Sequence, residues 1–327
     1  MEIVPVSIDM MSGDHGVSEN VDGILLAAKK NTAIHFHLCG DSSVLQPLLV
    51  THSELQGRYT LHHTDSIVPS DMQPSKAMRL RTETSLHKTL KLVKDGLAGI
   101  ALSSANTGAY MALAMLLIRL EDGIKRPAIG RLIPALKNPS RTKTLMLDLG
   151  ANADCTSAHL YDFAKMGVAH MRSVERIQNP TVALLNIGSE SGKGNTLVKE
   201  TQEILEADSD INFQGFVEGN QLLSGDFDII IADGFSGNVA LKALEGAINV
   251  FTDVLRDSLK NNFLSKLAAI LLRSTLRHTF GDKYSPQRYN GALLMGLKGK
   301  VMKSHGNADS KSFSYAILHA ADIASQK

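Results

Sequence analysis

The 327-residue chain has little of several features, and each shortage narrows what it can do. Its two cysteines, Cys39 and Cys155, fit neither a disulfide framework nor a zinc site and read as buried apolar thiols in a reducing compartment. Net charge is nearly absent: a formal +1 argues against a nucleic-acid binder working by bulk phosphate attraction, leaving local basic patches to be found by position. No apolar run of spanning length occurs, and the N-terminal MEIVPVSIDMMSGD reaches Asp9 before a signal-length apolar stretch develops. The expectation is a cytoplasmic protein that meets a membrane only from the side. No repeat, low-complexity segment or Pro/Ser linker divides the chain, and 43% hydrophobic against 20% charged residues suffices for a sizeable core. A single α/β domain over 1–327 is expected.

Familiar motifs fail on spacing. LLNIGSESGKGNT (184–196) is laid out like a nucleotide loop, but only three residues separate Gly188 from Gly192, and Gly194 follows Lys193 where a P-loop places its metal-binding hydroxyl. The stretch can hold a phosphate but lacks the part that manages Mg-ATP. No G-x-G-x-x-G follows the first strand, since Gly13 and Gly16 flank Asp14-His15. Gly234-Phe235-Ser236-Gly237 begins like a nucleophile elbow, yet Asn238 stands where that motif requires glycine. Asp9, Asp14 and His15 are able to ligate a metal, or equally to cap a loop and hydrogen-bond locally. His35, His37, His62 and His63 read as satisfied strand histidines. No metal and no cofactor is expected.

Short β-type runs alternate with longer helical stretches from EIVPVSI to FDIIIAD, which predicts a Rossmann-like, largely parallel sheet with helices on both faces. After about residue 240 the character changes to long helices, a C-terminal helical extension. In such sheets ligands bind beyond the carboxyl ends of the strands. Five of those ends carry small and polar residues: IDMMSGDHG (8–16), ALSSANTGA (101–109), LDLGAN (147–152), NIGSESGKGN (186–195) and IADGFSGN (231–238). Glycines let backbone amides approach an anion, and each following helix offers its N-terminal donors. The candidate phosphate and thioester contacts are Asp9, Gly13, Asp14 and His15; Asn106, Thr107 and Gly108; Asn152; Gly188, Gly192, Gly194 and Asn195; and Gly234, Ser236 and Gly237. Any one such loop alone is more often a plain turn or N-cap.

Taken in order, these loops resemble the PlsX family, the bacterial phosphate acyltransferases of phospholipid synthesis. The resemblance runs nearly end to end, through IDMMSGDHG, SSANTGA, RPAI, LDLGAN, LLNIGSESGKGN, FVEG, DGFSGNVALKALEG and KSHGNADS. It implies that inorganic phosphate attacks the thioester of a fatty acyl chain on acyl carrier protein, releasing acyl phosphate. It further implies a homodimer with a fold similar to the isocitrate dehydrogenase and phosphotransacetylase enzymes, and a downstream glycerol-3-phosphate acyltransferase. The chain departs from the family's usual glycines at Ser12 and Ala105, adding bulk where backbone approach matters.

The residue chemistry suits such a reaction. Phosphate is already a competent nucleophile, so what is needed is an anion site beside a thioester and donors for the tetrahedral oxyanion. Lys193 is the expected cation and Asn238 the expected donor, with Asn106 and Asn152 positioning the same groups or serving as N-caps, and Asp233 orienting Lys193 or a loop amide. Between 76 and 94, Lys76, Arg79, Arg81, Lys88, Lys91 and Lys94 face only Glu83, a surplus suited to an acidic carrier or else a solvated helix face. The stretch 261–280, within a helical element at about 255–285, sets Phe263, Leu264, Leu267, Ile270 and Leu271 against Lys266, Arg273 and Arg277. That pattern reads as a basic amphipathic helix on the inner face of the cell membrane, or as core or dimer packing. Two rival functions remain: a phosphotransacetylase-like enzyme acting on a small acyl-CoA, and a non-catalytic membrane scaffold.

Overall fold

The computed structural model describes residues 3–80, 82–190, 192–259 and 286–326. The first half is built as strand–helix pairs. β1 (Val4–Asp9), β2 (Ile34–Gly40), β3 (Tyr59–His63) and β4 (Ile100–Ser103) run parallel, and β1 is buried along nearly its whole length because helices cover both of its faces. On one face α1 (Gly16–Lys30) and the closing helix (Ser310–Ala324) press Ile24, Ala27, Phe313 and Ile317 onto Val6, Ile8, Phe36 and Leu38. On the other, α4 (Ser85–Lys94) and α5 (Thr107–Leu117) bring Leu86, Leu90, Tyr110 and Leu113 onto Ala101.

The second half repeats this scheme with β6 (Lys143–Leu147), β7 (Thr181–Leu185), β8 (Asn212–Val217) and β9 (Ile229–Ile231), also mutually parallel. Here α6 (Ser157–Ser173) buries Phe163 and Met166 against Leu147, Ile229 and Ile231, while α8 (Gly234–Ser258) sets Leu241 against Ile129, Met146 and Ile230.

The halves meet through strands that no periodicity announced. β10 (Ala292–Met295) and β11 (Val301–Lys303) return late in the chain to the middle of one eleven-stranded sheet, ordered β3-β2-β1-β4-β11-β10-β5-β6-β9-β7-β8, with β5 (Ala128–Pro134) beside them. β10 pairs antiparallel with both neighbours, and β5 pairs antiparallel with β6. The sheet is therefore largely parallel within each half, but the two parallel blocks point in opposite senses. Between α8 and the closing helix, the helical C-terminal stretch thus also supplies the central seam. Residues 261–280, with Leu267, Leu271, Lys266 and Arg273, lie outside the described residues, as does Arg81. No helix among the described residues is long and apolar enough to cross a membrane.

Candidate active site

A cleft of about 350 Å³ opens over the seam. Its floor is made by the small residues Gly291 and Ala292 at the start of β10, and cationic strand residues stand on either side. Lys303 ends β11 directly opposite Ala292, and Arg131 lies one residue beyond the Gly130–Leu293 pair on β5. Thr107 is the first residue of α5, Gly150 comes from the loop after β6, and Asn238, Leu241 and Lys242 come from α8. The helical spacing of Asn238, Lys242 and Glu245 puts all three on one face of α8, toward the seam.

Arg131 is only 5% exposed. Its Nε donates to the Tyr289 carbonyl at 2.6 Å and its Nη1 to Glu245 Oε1 at 2.6 Å and to His305 Nε2 at 3.3 Å. Because a guanidinium only donates, Nε2 of His305 is the accepting nitrogen and the neutral ring carries its proton on Nδ1. Burial, with the nearby Arg131 charge, holds His305 down to about 4, so it is neutral at pH 7. Burial likewise brings the Lys303 ammonium down to about 8, against the opposing pull of Asp14. Lys303 Nζ donates to the Ser304 carbonyl. Asn290 fixes this strand end, donating to Ser304 Oγ at 2.9 Å and accepting from the His305 amide at 3.1 Å. Lys242 pairs with Glu245 Oε2 at 2.9 Å.

The loops expected from the sequence fall into three groups. The first joins the ends of β1, β4 and β11: Asp9 is buried and accepts from Ser103 Oγ at 2.8 Å and from Ser12 Oγ, so the hydroxyl at position 12 is spent on this clamp. The Asp14 amide donates to the Gly306 carbonyl at 2.8 Å, and His15 Nε2 lies 3.2 Å from the Asn307 carbonyl. Asp9, Asp14 and His15 therefore do not converge as metal ligands, and among the described residues no His/Cys/Asp/Glu cluster is placed to hold an ion. Gly13 packs on Ser104 and Gly306, Gly108 on Pro74, and Ala105 is buried in the core under α5. Asn106 caps α5, accepting from the Ala109 amide at 3.1 Å.

The second group joins the ends of β6 and β9. Asp148 accepts amides of Ile129, Ala151 and Asn152, while Asn152 Nδ2 donates to the Pro127 carbonyl at 2.8 Å and to Asp148. Gly234 donates its amide to the Asn152 carbonyl at 2.8 Å. A Cβ on Gly237 would come within 2.1 Å of the Asp148 carbonyl, so only glycine lets α8 start this close to the β6 loop. Asp233 is the α8 N-cap, accepting from the Ser236 amide at 2.8 Å; it orients a loop amide and not Lys193. Ser236 is exposed at the same turn. Asn238 faces Gly150, and its side chain has no hydrogen-bond partner among the described residues.

The third group stands apart. After β7, Asn186 Nδ2 ties the loop to itself through the Gly188 and Lys193 carbonyls at 3.1 and 3.2 Å, Gly194 is pressed on Asn186, and Asn195 caps α7 (Thr196–Ala207). Gly188 backs onto the Lys193 side chain and Gly192 sits in open space. Lys193 pairs with Glu190 at 2.7 Å, is about half exposed, and is not among the residues lining the seam cleft. The strand order puts β7 beyond β9, which sets Lys193 away from the seam, where the cations are Arg131, Lys242 and Lys303, with His305 beside them. Sequence reasoning missed these four, although they lie within or next to the quoted RPAI, ALKALEG and KSHGNADS.

Arg131 and Leu241 also line an apolar notch of about 30 Å³, together with Ile133, Leu223, Leu244 and Ile248. A larger cavity of about 970 Å³ lies past Tyr289, but two of its cations are already committed, Arg141 to Asp228 and Lys143 to Glu175, both at 2.6 Å. Lys88 and Lys91 share Glu83, whereas Arg79 is exposed just after α3 (Pro74–Ala77), whose Pro74 touches Gly108 at the cleft rim. His37 Nδ1 and His62 Nε2 meet at 3.0 Å at the far sheet edge, away from the cleft. Cys39 is buried and Cys155 partly buried, and burial raises their thiols to about 12 and about 11.

Known proteins resemble this chain from end to end. A family model described as "Fatty acid synthesis protein" matches residues 4–327. A phosphate acyltransferase of Rhodospirillum rubrum is 41% identical over 322 residues, covering 98% of this chain and 91% of that protein. One of Methylococcus capsulatus is 42% identical over 316 residues, covering 96% and 91%. Among solved structures, a phosphotransacetylase from Streptococcus pyogenes superposes with a TM-score of 0.61 at 16% identity, covering 98% of this chain and 94% of that one, a likeness of fold.

Proposed function

This chain belongs to the fatty acid synthesis protein family, and from that membership and the seam cleft we propose that it transfers a fatty acyl group from acyl carrier protein to inorganic phosphate. It is an acyltransferase. The observation that carries the assignment of the site is the junction at Arg131 and Leu241, which line both the cationic cleft and the apolar notch. Phosphate sits among Arg131, Lys242 and Lys303, and the first methylenes of the acyl chain enter the notch toward Ile133, Leu244 and Ile248. The thioester carbonyl then lies between them, with Asn238 Nδ2 and Thr107 available to its oxygen as charge develops. A phosphate oxygen forms the C–O bond, the C–S bond breaks, and the proton carried by phosphate leaves to the thiol. His305, neutral at pH 7, is next to that path.

The remaining roles are part of the same reading. The carrier docks over Arg79, Arg81 and Lys88, because α3 abuts the rim at Gly108 and an acidic partner there would present its prosthetic arm to the cleft. The glycine loops around Asp9, Gly13, Asp14 and His15, and around Gly234, Ser236 and Gly237, add backbone donors for the substrates at the ends of β1 and β9. The loop of Gly188, Gly192, Lys193, Gly194 and Asn195 forms an outer anion cradle. The protein acts as a homodimer in the cytoplasm, with the 261–280 segment touching anionic lipid at the inner membrane face, where a glycerol-3-phosphate acyltransferase takes the labile product. The deciding experiment supplies pure protein with phosphate and either palmitoyl-carrier or acetyl-CoA, and traps acyl phosphate with hydroxylamine. Phosphate-dependent hydroxamate from the carrier substrate is expected; product from acetyl-CoA alone would make the enzyme a small-acyl transacetylase, and product from neither would leave a scaffold.

A further inference from the structure

Glu245 lines the apolar notch that shares Arg131 and Leu241 with the cationic cleft, and it bonds to two of the cleft's cations. Glu245 Oε1 accepts from Arg131 Nη1 at 2.6 Å and lies 3.8 Å from His305 Nε2, while Oε2 accepts from Lys242 at 2.9 Å. Its side chain is 18% exposed. Two of the three cations that would hold the anion, Arg131 and Lys242, are thus already gathered around an acid. Burial pushes this carboxyl up, but Lys242 and Arg131 together hold it below the ordinary glutamate range, so at neutral pH it is ionised and can only accept hydrogen bonds. A fully deprotonated oxyanion entering this site brings oxygen lone pairs against carboxylate oxygens. An oxyanion that carries a hydroxyl brings a donor instead.

We propose that Glu245 is a specificity-determining residue of the anion site, accepting the P–OH of phosphate and rejecting tetrahedral anions that carry no proton, sulfate foremost. The inference rests on the acyl-transfer reading for the identity of the anion, and it deepens that reading by naming what tells phosphate from sulfate. At neutral pH both ionic forms of phosphate keep a hydroxyl, and sulfate has none. A site built to hydrogen-bond a hydroxyl rejects the analogue lacking it, because its acceptor is then left facing an acceptor.

The test uses two pairs of anions matched in shape: phosphate with sulfate, and arsenate with selenate. The first of each pair bears a proton at pH 7 and the second does not. Binding to the full-length protein is read by the shift in Tm, and competition by inhibition of hydroxamate formation from palmitoyl-carrier. In the wild type, selenate and sulfate should bind about tenfold to 100-fold more weakly than arsenate and phosphate, the worth of a hydrogen bond to a charged group. In Glu245→Gln, whose amide can donate to a bare oxyanion, the gap should close to within about threefold on the same basis. Lys242→Met should weaken all four anions together and leave the gap intact. Selenate matching arsenate in the wild type overturns the inference, and so does a folded Glu245→Gln that keeps the full gap. If Glu245→Gln does not fold, Glu245→Ala, which removes the acceptor, should likewise narrow the gap, and a folded Glu245→Ala that keeps it in full overturns the inference. The Tm readout needs no turnover, so a protein that makes no acyl phosphate but discriminates the anions would sink the reaction and leave this inference standing.

Discussion

Replacing Lys303 with methionine should make the protein more stable and less able to use phosphate at the same time. The ammonium at the end of β11 falls from the ordinary 10.5 to about 8 because burial disfavours its charge. A drop of that size corresponds to about 3 kcal/mol withheld from the cationic folded state, an upper figure for a group with some access to water. Methionine removes that burden and also the hydrogen bond to the Ser304 carbonyl, worth about 1 kcal/mol, so the net gain near pH 7 is roughly 2 kcal/mol. The sign follows from proton counting. Between about pH 8 and the unfolded value of 10.5, the unfolded chain holds the proton and the folded chain does not, so wild-type stability rises through that window. Below it the burden is fully present. The advantage of Lys303→Met should therefore be greatest below pH 8 and vanish above about 10.5. Urea titrations at pH 7 and pH 10 measure the stability change, and phosphate saturation curves measure the loss of function, expected as at least a tenfold rise in KM, about 1.4 kcal/mol or more. In the wild type, kcat/KM for phosphate should decline as pH rises through about 8, and Lys303→Arg should remove that decline. A methionine variant that is less stable at pH 7 and keeps its phosphate KM would refute both the burial argument and the place of Lys303 in the anion site.

Arg131→Lys keeps the charge but not the fork that reaches Tyr289, Glu245 and His305, so we expect a loss of about 2–3 kcal/mol in urea unfolding and a raised phosphate KM. Gly237→Ala should cost more than about 3 kcal/mol or yield no folded protein, judged by circular dichroism, since its methyl would meet the Asp148 carbonyl. Asn238→Ala and Asn195→Ala should separate cleanly. The first lowers kcat by about 3 kcal/mol of transition-state stabilisation with Tm unchanged. The second removes an α7 cap, costs about 1 kcal/mol of stability, and leaves kcat alone; the opposite pattern would exchange their roles.

Much of the architecture was legible because it repeats a strong local signal. Helix starts at Thr84, Asn106, Thr156, Asn195 and Asp233 coincide with capping residues, and several strands between them, such as IALS, TVALL and III, are short and rich in aliphatic residues. β10 and β11 were not legible: at four and three residues they carry too few positions to show a period, and their place in the sheet is fixed by pairing with strands far away in sequence. The same reason hid the seam cations. Arg131 interrupts an otherwise apolar strand, and its partner His305 is 174 residues away, a distance no window spans. Lys193, by contrast, advertised itself through glycines, yet those glycines serve a loop that Asn186 folds onto itself. The helical spacing of Asn238, Lys242 and Glu245 was the one available clue, and it depended on reading α8 as starting at Gly234.

The deeply protonated thiols have a practical bearing on how this enzyme can be watched. Acyl transfer from a carrier thioester liberates a thiol for every acyl phosphate made, so a disulfide reagent that yields a coloured thiolate would report turnover continuously. Such reagents react with thiolate, and a protein with an activated cysteine would be consumed by its own detector. Here the chain's two sulfhydryls, raised to about 12 and about 11, stay in the unreactive form at neutral pH. The enzyme should tolerate the reagent at working concentrations, and the phosphate-dependent part of the colour would count turnovers of the carrier alone.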